Sequence, residues 1–418
     1  MPGRRLIGKK YNRRIPSTPV RESGGSRTRH LLFLALAAGA CLPWFAARLS
    51  GAAGSWGVLG PGACIVGAAF LLCWAAEAAE MDVPQAVSIG LVALLAVLPE
   101  YAVDMVFAWK GGRDPSFIPF ATANMTGANR LLIGVGWPAV LAAAWWKHGR
   151  RAIRLGAENA VELVTLLGAS LYAFVIPFKT RLSLVDTACF GALFLFYAWR
   201  SVGGETREPE LEGPAQTLSE LAPLHRRLAV AFLFLYAGAA IGLSAEPFAV
   251  GLLALGRRWG IEEFLLVQWI APLASEAPEF IVAIVFALKG KAGVAFRALL
   301  SSKVNQWTLL VGMLPAVFNL SAGRLAPMPL DSRQVEEVAL TAAQSLFGLA
   351  LLMNLEFSLG EAGALLGLFA AQLFFQSPAA RWAFAAAYAA AAVTLLAAAP
   401  GRRGRLAALI RRAFSKNL

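Results

Sequence analysis

The chain has 418 residues, 58% of them hydrophobic and only 15% charged, with a mean hydropathy of +0.61. That composition excludes an ordinary soluble or disordered protein and places the chain in the polytopic membrane class. Lys and Arg number 38 against 25 Asp and Glu, a formal charge of +13 that lies largely in short loops and at the two ends; basic segments so placed meet anionic lipid, so membrane lipid is the expected partner and nucleic acid is not.

Residues 1–30 form a basic tail with Arg4, Arg5, Lys9, Lys10, Arg13 and Arg14, and no cleavage-site pattern follows a short apolar core. It reads as a retained cytoplasmic tail. Apolar windows of spanning length then fall near 31–49, 57–77, 84–109, 117–145, 159–177 and 182–199, each about 20 residues or more. Residues 200–226 break the pattern with Glu205, Glu208, Pro209, Glu210, Glu212 and Pro214, a charged linker between two halves. Further windows lie near 227–256, 262–289, 295–319, 335–355, 361–376 and 381–399, and a basic tail occupies 400–418. The fold class expected is therefore all-α and polytopic, with about 12 transmembrane helices in a first half (31–199) and a second half (227–399). An even count leaves both termini on one face. The positive-inside rule makes that face cytoplasmic, in the plasma or inner membrane.

Cys41, Cys64, Cys73 and Cys189 are scattered through apolar spans, and His30, His148 and His225 lie in basic or loop segments. Neither set has the spacing of a metal centre or a catalytic triad, so no cofactor and no enzymatic activity is expected.

One stretch is written twice. Leu98 to Gly111 aligns with Ala277 to Gly290: Pro99-Glu100 with Pro278-Glu279, Tyr101 with Phe280, Val106-Phe107-Ala108 with Val285-Phe286-Ala287, and Lys110-Gly111 with Lys289-Gly290. The copies fall in the third and eighth spans and so cross in opposite directions, an inverted-topology repeat. Glu162 to Tyr172 and Glu337 to Phe347 extend the repetition with an acidic start and an Ala-Ser-rich body. A carboxylate at bilayer depth costs at least about 2.5–3.5 kcal/mol unless compensated, which makes Glu100 and Glu279 site candidates. The proline before each frees backbone carbonyls near Leu95 and Ala274, and carboxylates beside free carbonyls suit a hard cation. Against this stands a plain ion pair that locks the bundle.

Each motif helix carries a second acid, Asp104 four residues after Glu100 and Glu276 three before Glu279. Asp104 reads either as a proton-carrying vestibule group or as an interfacial one in contact with water, whereas two glutamates one turn apart favour holding a proton. The next span of each half supplies Asn124, Thr126 and Asn129, then Ser301, Ser302, Asn305 and Gln306, as neutral oxygens or as interhelical glue. Arg130 and Lys303 lie in the same spans. They either pair with Glu276, Glu279 or Glu100, Lys303 then standing in for a monovalent cation, or snorkel to an interface.

These residues resemble the cation/calcium exchanger superfamily, the sodium/calcium exchanger membrane region, with alpha repeats at about 85–138 and 264–315. The resemblance implies two inverted repeats around a site, with Glu100 and Glu279 as principal Ca²⁺ ligands. The flanks depart from the family's Gly-Thr-Ser-Leu-Pro-Glu: here stand Leu95-Ala96-Val97-Leu98-Pro99-Glu100 and Ala274-Ser275-Glu276-Ala277-Pro278-Glu279. The Gly-Ser-Asn run of the following helix is echoed by Gly127-Ala128-Asn129 and by Ser301-Ser302-Lys303 with Gln306. The expected metal set is thus Glu100, Glu279, Glu276, Asn129, Ser275, Ser302 and Gln306, with Asp104 and Lys303 in coupling. The function implied is a secondary antiporter of Ca²⁺ or a related cation against Na⁺ or H⁺ by alternating access; a degenerate, non-exchanging member is the alternative. The missing hydroxyls belong to the family's sodium sites, and proton coupling is favoured modestly over sodium.

Overall fold

The computed structural model describes residues 24–51, 54, 57–83, 97–201 and 211–415. Residues 1–23 of the first tail, 84–96 with the Leu95 carbonyl and Ala96, 202–210 of the linker and the last three residues lie outside the described residues.

The first half runs α1 (Gly24–Gly39), α2 (Leu42–Leu49), α3 (Leu59–Ala79), α4 (Leu98–Arg113), α5 (Ile118–Leu131) and, through a π-helical turn at Leu132–Gly136, α6 (Trp137–His148). It continues with β1 (Ala152–Arg154), α7 (Ala160–Ala173), α8 (Val175–Lys179), β2 (Arg181–Leu182) and α9 (Leu184–Ser201). A short α10 (Pro214–Ser219) leads to the second half: α11 (Pro223–Trp259), α12 (Glu263–Leu288), α13 (Ala292–Asn305), a π turn at Gln306–Leu310 and α14 (Val311–Ala322). Then follow β3 (Met328–Pro329), α15 (Ser332–Leu352), β4 (Glu356–Ser358), α16 (Leu359–Phe374), α17 (Pro378–Ala398) and α18 (Pro400–Phe414). Proline in the first turn starts α4, α6, α11, α17 and α18, where its missing N–H is no loss. Left-handed glycines end α6, α11 and α14 at Gly149, Gly260 and Gly323.

Among the described residues, eight segments are long and apolar enough to cross a membrane: 25–49, 59–79, 115–148, 157–179, 223–259, 263–288, 332–352 and 378–398. Among the described residues, helix also occupies the remaining predicted windows, as α4 over the part of the third window from Leu98 on, α9, α13 with α14, and α16. Contacts between segment ends fix an alternating order. On the face where α1 begins, His30 Nδ1 meets Thr217 Oγ1 (2.9 Å), Arg226 and Arg227 both bond Asp82, Lys289 and Lys291 pair with Glu212, and His148 Nε2 reaches Leu288 O at 2.9 Å. On the far face, Lys110 pairs with Glu246 (2.5 Å) and Ser321 Oγ donates to Trp109 O (2.5 Å). The hydrogen bond from Arg226, with Arg227 adding to it, holds the Asp82 carboxyl down to about 2.

The short strands state the relation between the halves. β1 follows the π-broken helix of the first half and pairs antiparallel with β4 (Ile153 opposite Phe357); β2, after α7 and α8, pairs with β3 (Leu182 opposite Met328). Each half thus lends the other the strand that its own topological position receives, which is what a two-fold relation in the membrane plane requires.

Candidate functional site

Residues 118–148 and 292–322 share one plan: 14 α-helical residues, 5 in a π turn, 12 more in α-helix, then a left-handed glycine. Matched residue for residue, Ala128 corresponds to Ser302, Asn129 to Lys303 and Leu132 to Gln306. A π turn inserts one residue into the helical ladder and re-aims the side chains around it, a device common at functional sites. Gln306 opens the second of these turns.

Gln306 Nε2 donates to Glu100 Oε2 at 3.0 Å and to Glu276 Oε1 at 3.1 Å, so one amide nitrogen ties a carboxylate from each repeat. Glu100 is 3% exposed and Glu276 2%. Glu100 Oε1, Glu276 Oε2 and Gln306 Oε1 are buried without hydrogen-bond partners, three oxygens in want of a cation, a proton or water. Glu279, half-buried, accepts from Ser302 Oγ at 2.7 Å. Among the described residues no three or more His, Cys, Asp or Glu side chains gather as a metal-holding group. Gln306, at the start of the π turn, thus ties Glu100 to Glu276, one turn before the repeat-equivalent Glu279.

Lys303 is 1% exposed, and its Nζ donates to Asn129 Oδ1 (2.6 Å) and to Asn129 O (3.3 Å), with the ammonium 4.6 Å from the Trp307 ring centroid. It neither snorkels nor forms an ion pair with Glu276; two neutral oxygens and an aromatic face surround the amine. Asn129 gives its amide hydrogen to Met125 O (2.9 Å), so its side chain serves the helix and Lys303. Ser275 likewise turns its hydroxyl onto Ala271 O (3.1 Å) and Pro272 O (3.3 Å) of its own helix. Asp104 is fully buried and accepts from Asn124 Nδ2 at 3.0 Å, which removes the interfacial reading. Its other oxygen and Asn124 Oδ1 are unpartnered.

Arg130 also departs from both expectations. It is 2% exposed and pairs with Glu337 of α15 at 2.7 Å, beside the Trp269 ring (4.9 Å). Gln268 of α12 donates to the same carboxylate (3.0 Å), linking α5, α12 and α15. The role of Glu337 and Gln268 was not legible beforehand, although an acid and an amide inside apolar spans were a signal in themselves. Pro272 withdraws the donor due to Gln268 O, and that carbonyl lies against Gly127, where an added Cβ would stand 1.8 Å from it. Close approach of the two repeats thus demands glycine there. Tyr101 Oη donates to Asn305 Oδ1 (2.7 Å), joining α4 to α13 beside the carboxylates.

The family model of the sodium/calcium exchanger protein matches residues 53–203 and 229–377. Among solved structures, the chain is similar to an H⁺/Ca²⁺ exchanger, CAX, with 44% identity over 93% of this chain and 98% of that one, at a TM-score of 0.88. YfkE shares the fold at 16% identity over 84% and 99% of the two chains (TM-score 0.60), as does the sodium-calcium exchanger NCX_Mj at 13% over 84% and 98% (TM-score 0.51). A search of the curated proteins found no match. With a multi-pass helical bundle and both halves matched, the chain is an integral membrane protein that belongs to the sodium/calcium exchanger family.

Proposed function

We propose that the chain is an antiporter that exchanges Ca²⁺ for protons, with Glu100, Glu276 and Glu279 as the acids that take either. The observation that carries this reading is the shared Gln306 amide: two buried carboxylates of opposite repeats lie within two hydrogen bonds of each other, with three oxygens unpartnered. An all-oxygen set of this kind suits a hard divalent ion. It equally suits a proton, since two carboxylates this close do not both ionise readily without a cation between them. Sodium fits less well. In the first repeat Ala96, Val97 and Leu98 precede Pro-Glu and offer no side-chain oxygen, and the Lys303 amine already occupies the repeat interface. The 44% identical exchanger of known structure is described as exchanging H⁺ and Ca²⁺, which agrees.

Glu279 with Ser302, and Asp104 with Asn124, flank the central pair along α12 and α4. They form a line of oxygens along which an ion or proton enters and leaves. The basic excess at the face of the termini makes that face cytoplasmic, in the plasma membrane. Ca²⁺ uptake into proteoliposomes under an imposed pH gradient, with no sodium present, tests the proposal. Uptake that ignores the gradient and requires sodium would overturn it.

A further inference from the structure

A cavity of about 860 Å³ lies between α1, α3 and α12, outside the candidate exchange site. Its walls are apolar along most of their length, with Phe33 and Leu36 from α1, Phe70 and Trp74 from α3, and Ile281 and Val285 from α12. Phe33, Leu36 and Ile281 are 48%, 59% and 48% exposed, so the groove opens on the surface that the bilayer covers. One end is different. Ser26, Arg29, His30 and Lys289 rim it on the face where α1 begins, with Glu212 beside Lys289.

Along α1 the lining runs from Ser26 to Ala40, which at the helical rise is about 21 Å. Half the hydrocarbon core is about 15 Å thick. The groove is therefore as deep as one leaflet, apolar at acyl-chain depth, and basic where a headgroup sits. Arg29 is exposed at that level and Glu212 offsets only part of the lysine charge, because Lys291 pairs with it as well.

We infer that this groove is a binding site for an anionic phospholipid of the leaflet at that face, headgroup on Arg29 and Lys289, one acyl chain against Phe33, Phe70 and Val285. The match of length, polarity order and charge selects a lipid over a small soluble ligand, which would leave the apolar floor unfilled. Ile281, Val282 and Val285 follow Glu279 within two turns, so an occupying chain backs the helix that carries the second Pro-Glu motif.

Native mass spectrometry of the full chain, extracted from vesicles of phosphatidylcholine mixed with phosphatidylglycerol, reads this directly and without reference to which ions are exchanged. Expected is preferential retention of phosphatidylglycerol, reduced in Arg29→Glu by more than the roughly fivefold that loss of one basic contact at the surface predicts. Retention of both lipids should fall in Val285→Trp, which fills the apolar part. If Arg29→Glu fails to accumulate, Arg29→Gln makes the same comparison. Equal retention of the two lipids, or a preference unchanged in the Arg29 variant, overturns the site. So does lipid retention that emerges only after removal of residues 1–23, which would make the chain's own N-terminal segment the occupant.

Discussion

Asn129 and Lys303 hold the same position in the two repeats and are bonded to each other, Nζ to Oδ1 at 2.6 Å. In an inverted repeat, equivalent positions meet only near the axis that relates the halves. The chain therefore sets a buried lysine near its pseudo-symmetry axis, opposite a neutral amide. In its ammonium form Lys303 repels a divalent ion bound at Glu100 and Glu276. A unit charge several ångströms away in a medium of effective dielectric about 20 interacts by more than 1 kcal/mol. Lys303→Gln keeps a hydrogen-bonding partner for Asn129 and removes the charge. The expected outcome is tighter apparent Ca²⁺ affinity by about tenfold at fixed pH, read from the concentration dependence of uptake. Weaker affinity in a folded Lys303→Gln protein would show that the charge assists binding instead.

The Arg130–Glu337 pair is buried on both sides, at 3% and 4% side-chain exposure. Removing one partner strands the other charge, a loss of about 3–5 kcal/mol. Arg130→Met should therefore lower the thermal unfolding midpoint sharply. The double variant Arg130→Met/Glu337→Leu, which strands nothing, should recover most of it. A double variant no more stable than the single one would mean that Gln268 and Trp269 depend on the charges themselves.

Asp82 supplies a pH dependence at the membrane surface. Arg226 and Arg227 hold its carboxyl at about 2, below the ordinary range. A depressed carboxylate contributes stability that is fully present above its unfolded value, about 3.9, and is lost as pH falls through the folded one. The stability difference between wild type and Asp82→Asn should thus be constant from neutral pH to about 4 and shrink towards pH 2. A difference that persisted undiminished at the acid end would assign the contribution to packing.

The two Pro-Glu helices were legible because the repeat is written in residue identities, and identity survives inversion of the fold. Helix positions were legible for a similar reason, since bilayer thickness imposes a length that composition reveals. Arg130 and Lys303 were not placed beforehand, because each reaches its partner over 207 and 174 residues of chain respectively, and no local period encodes such a meeting. The same limit hid Gln306 as the tie between Glu100 and Glu276. Its aim depends on a π turn, which adds one residue to a helix without altering its hydrophobic pattern. Ser275 and Asn129 were legible as polar groups within spans, but their hydrogen bonds to the carbonyls of Ala271, Pro272 and Met125 are set by side-chain rotamers that the sequence does not encode.

Glu276 and Glu279 lie one turn apart on α12 but face different partners, Gln306 with Glu100 in one case and Ser302 in the other. That difference predicts different losses. Glu276→Gln leaves Glu100 and Glu279 to bind Ca²⁺, yet removes the second carboxylate from the pair that would share a proton. Uptake driven by a pH gradient should then be abolished or nearly so, while exchange of labelled for unlabelled Ca²⁺ across the membrane, which moves no proton, should persist at reduced rate. Glu279→Gln removes the acid of the Pro-Glu motif itself and should abolish both modes without loss of folded protein. The comparison is made in the same proteoliposomes with and without sodium. Undiminished pH-driven uptake in Glu276→Gln would assign the proton elsewhere, with Asp104 as the remaining buried acid on α4. Loss of labelled Ca²⁺ exchange in Glu276→Gln as complete as in Glu279→Gln would instead make Glu276 an obligatory ligand of the ion.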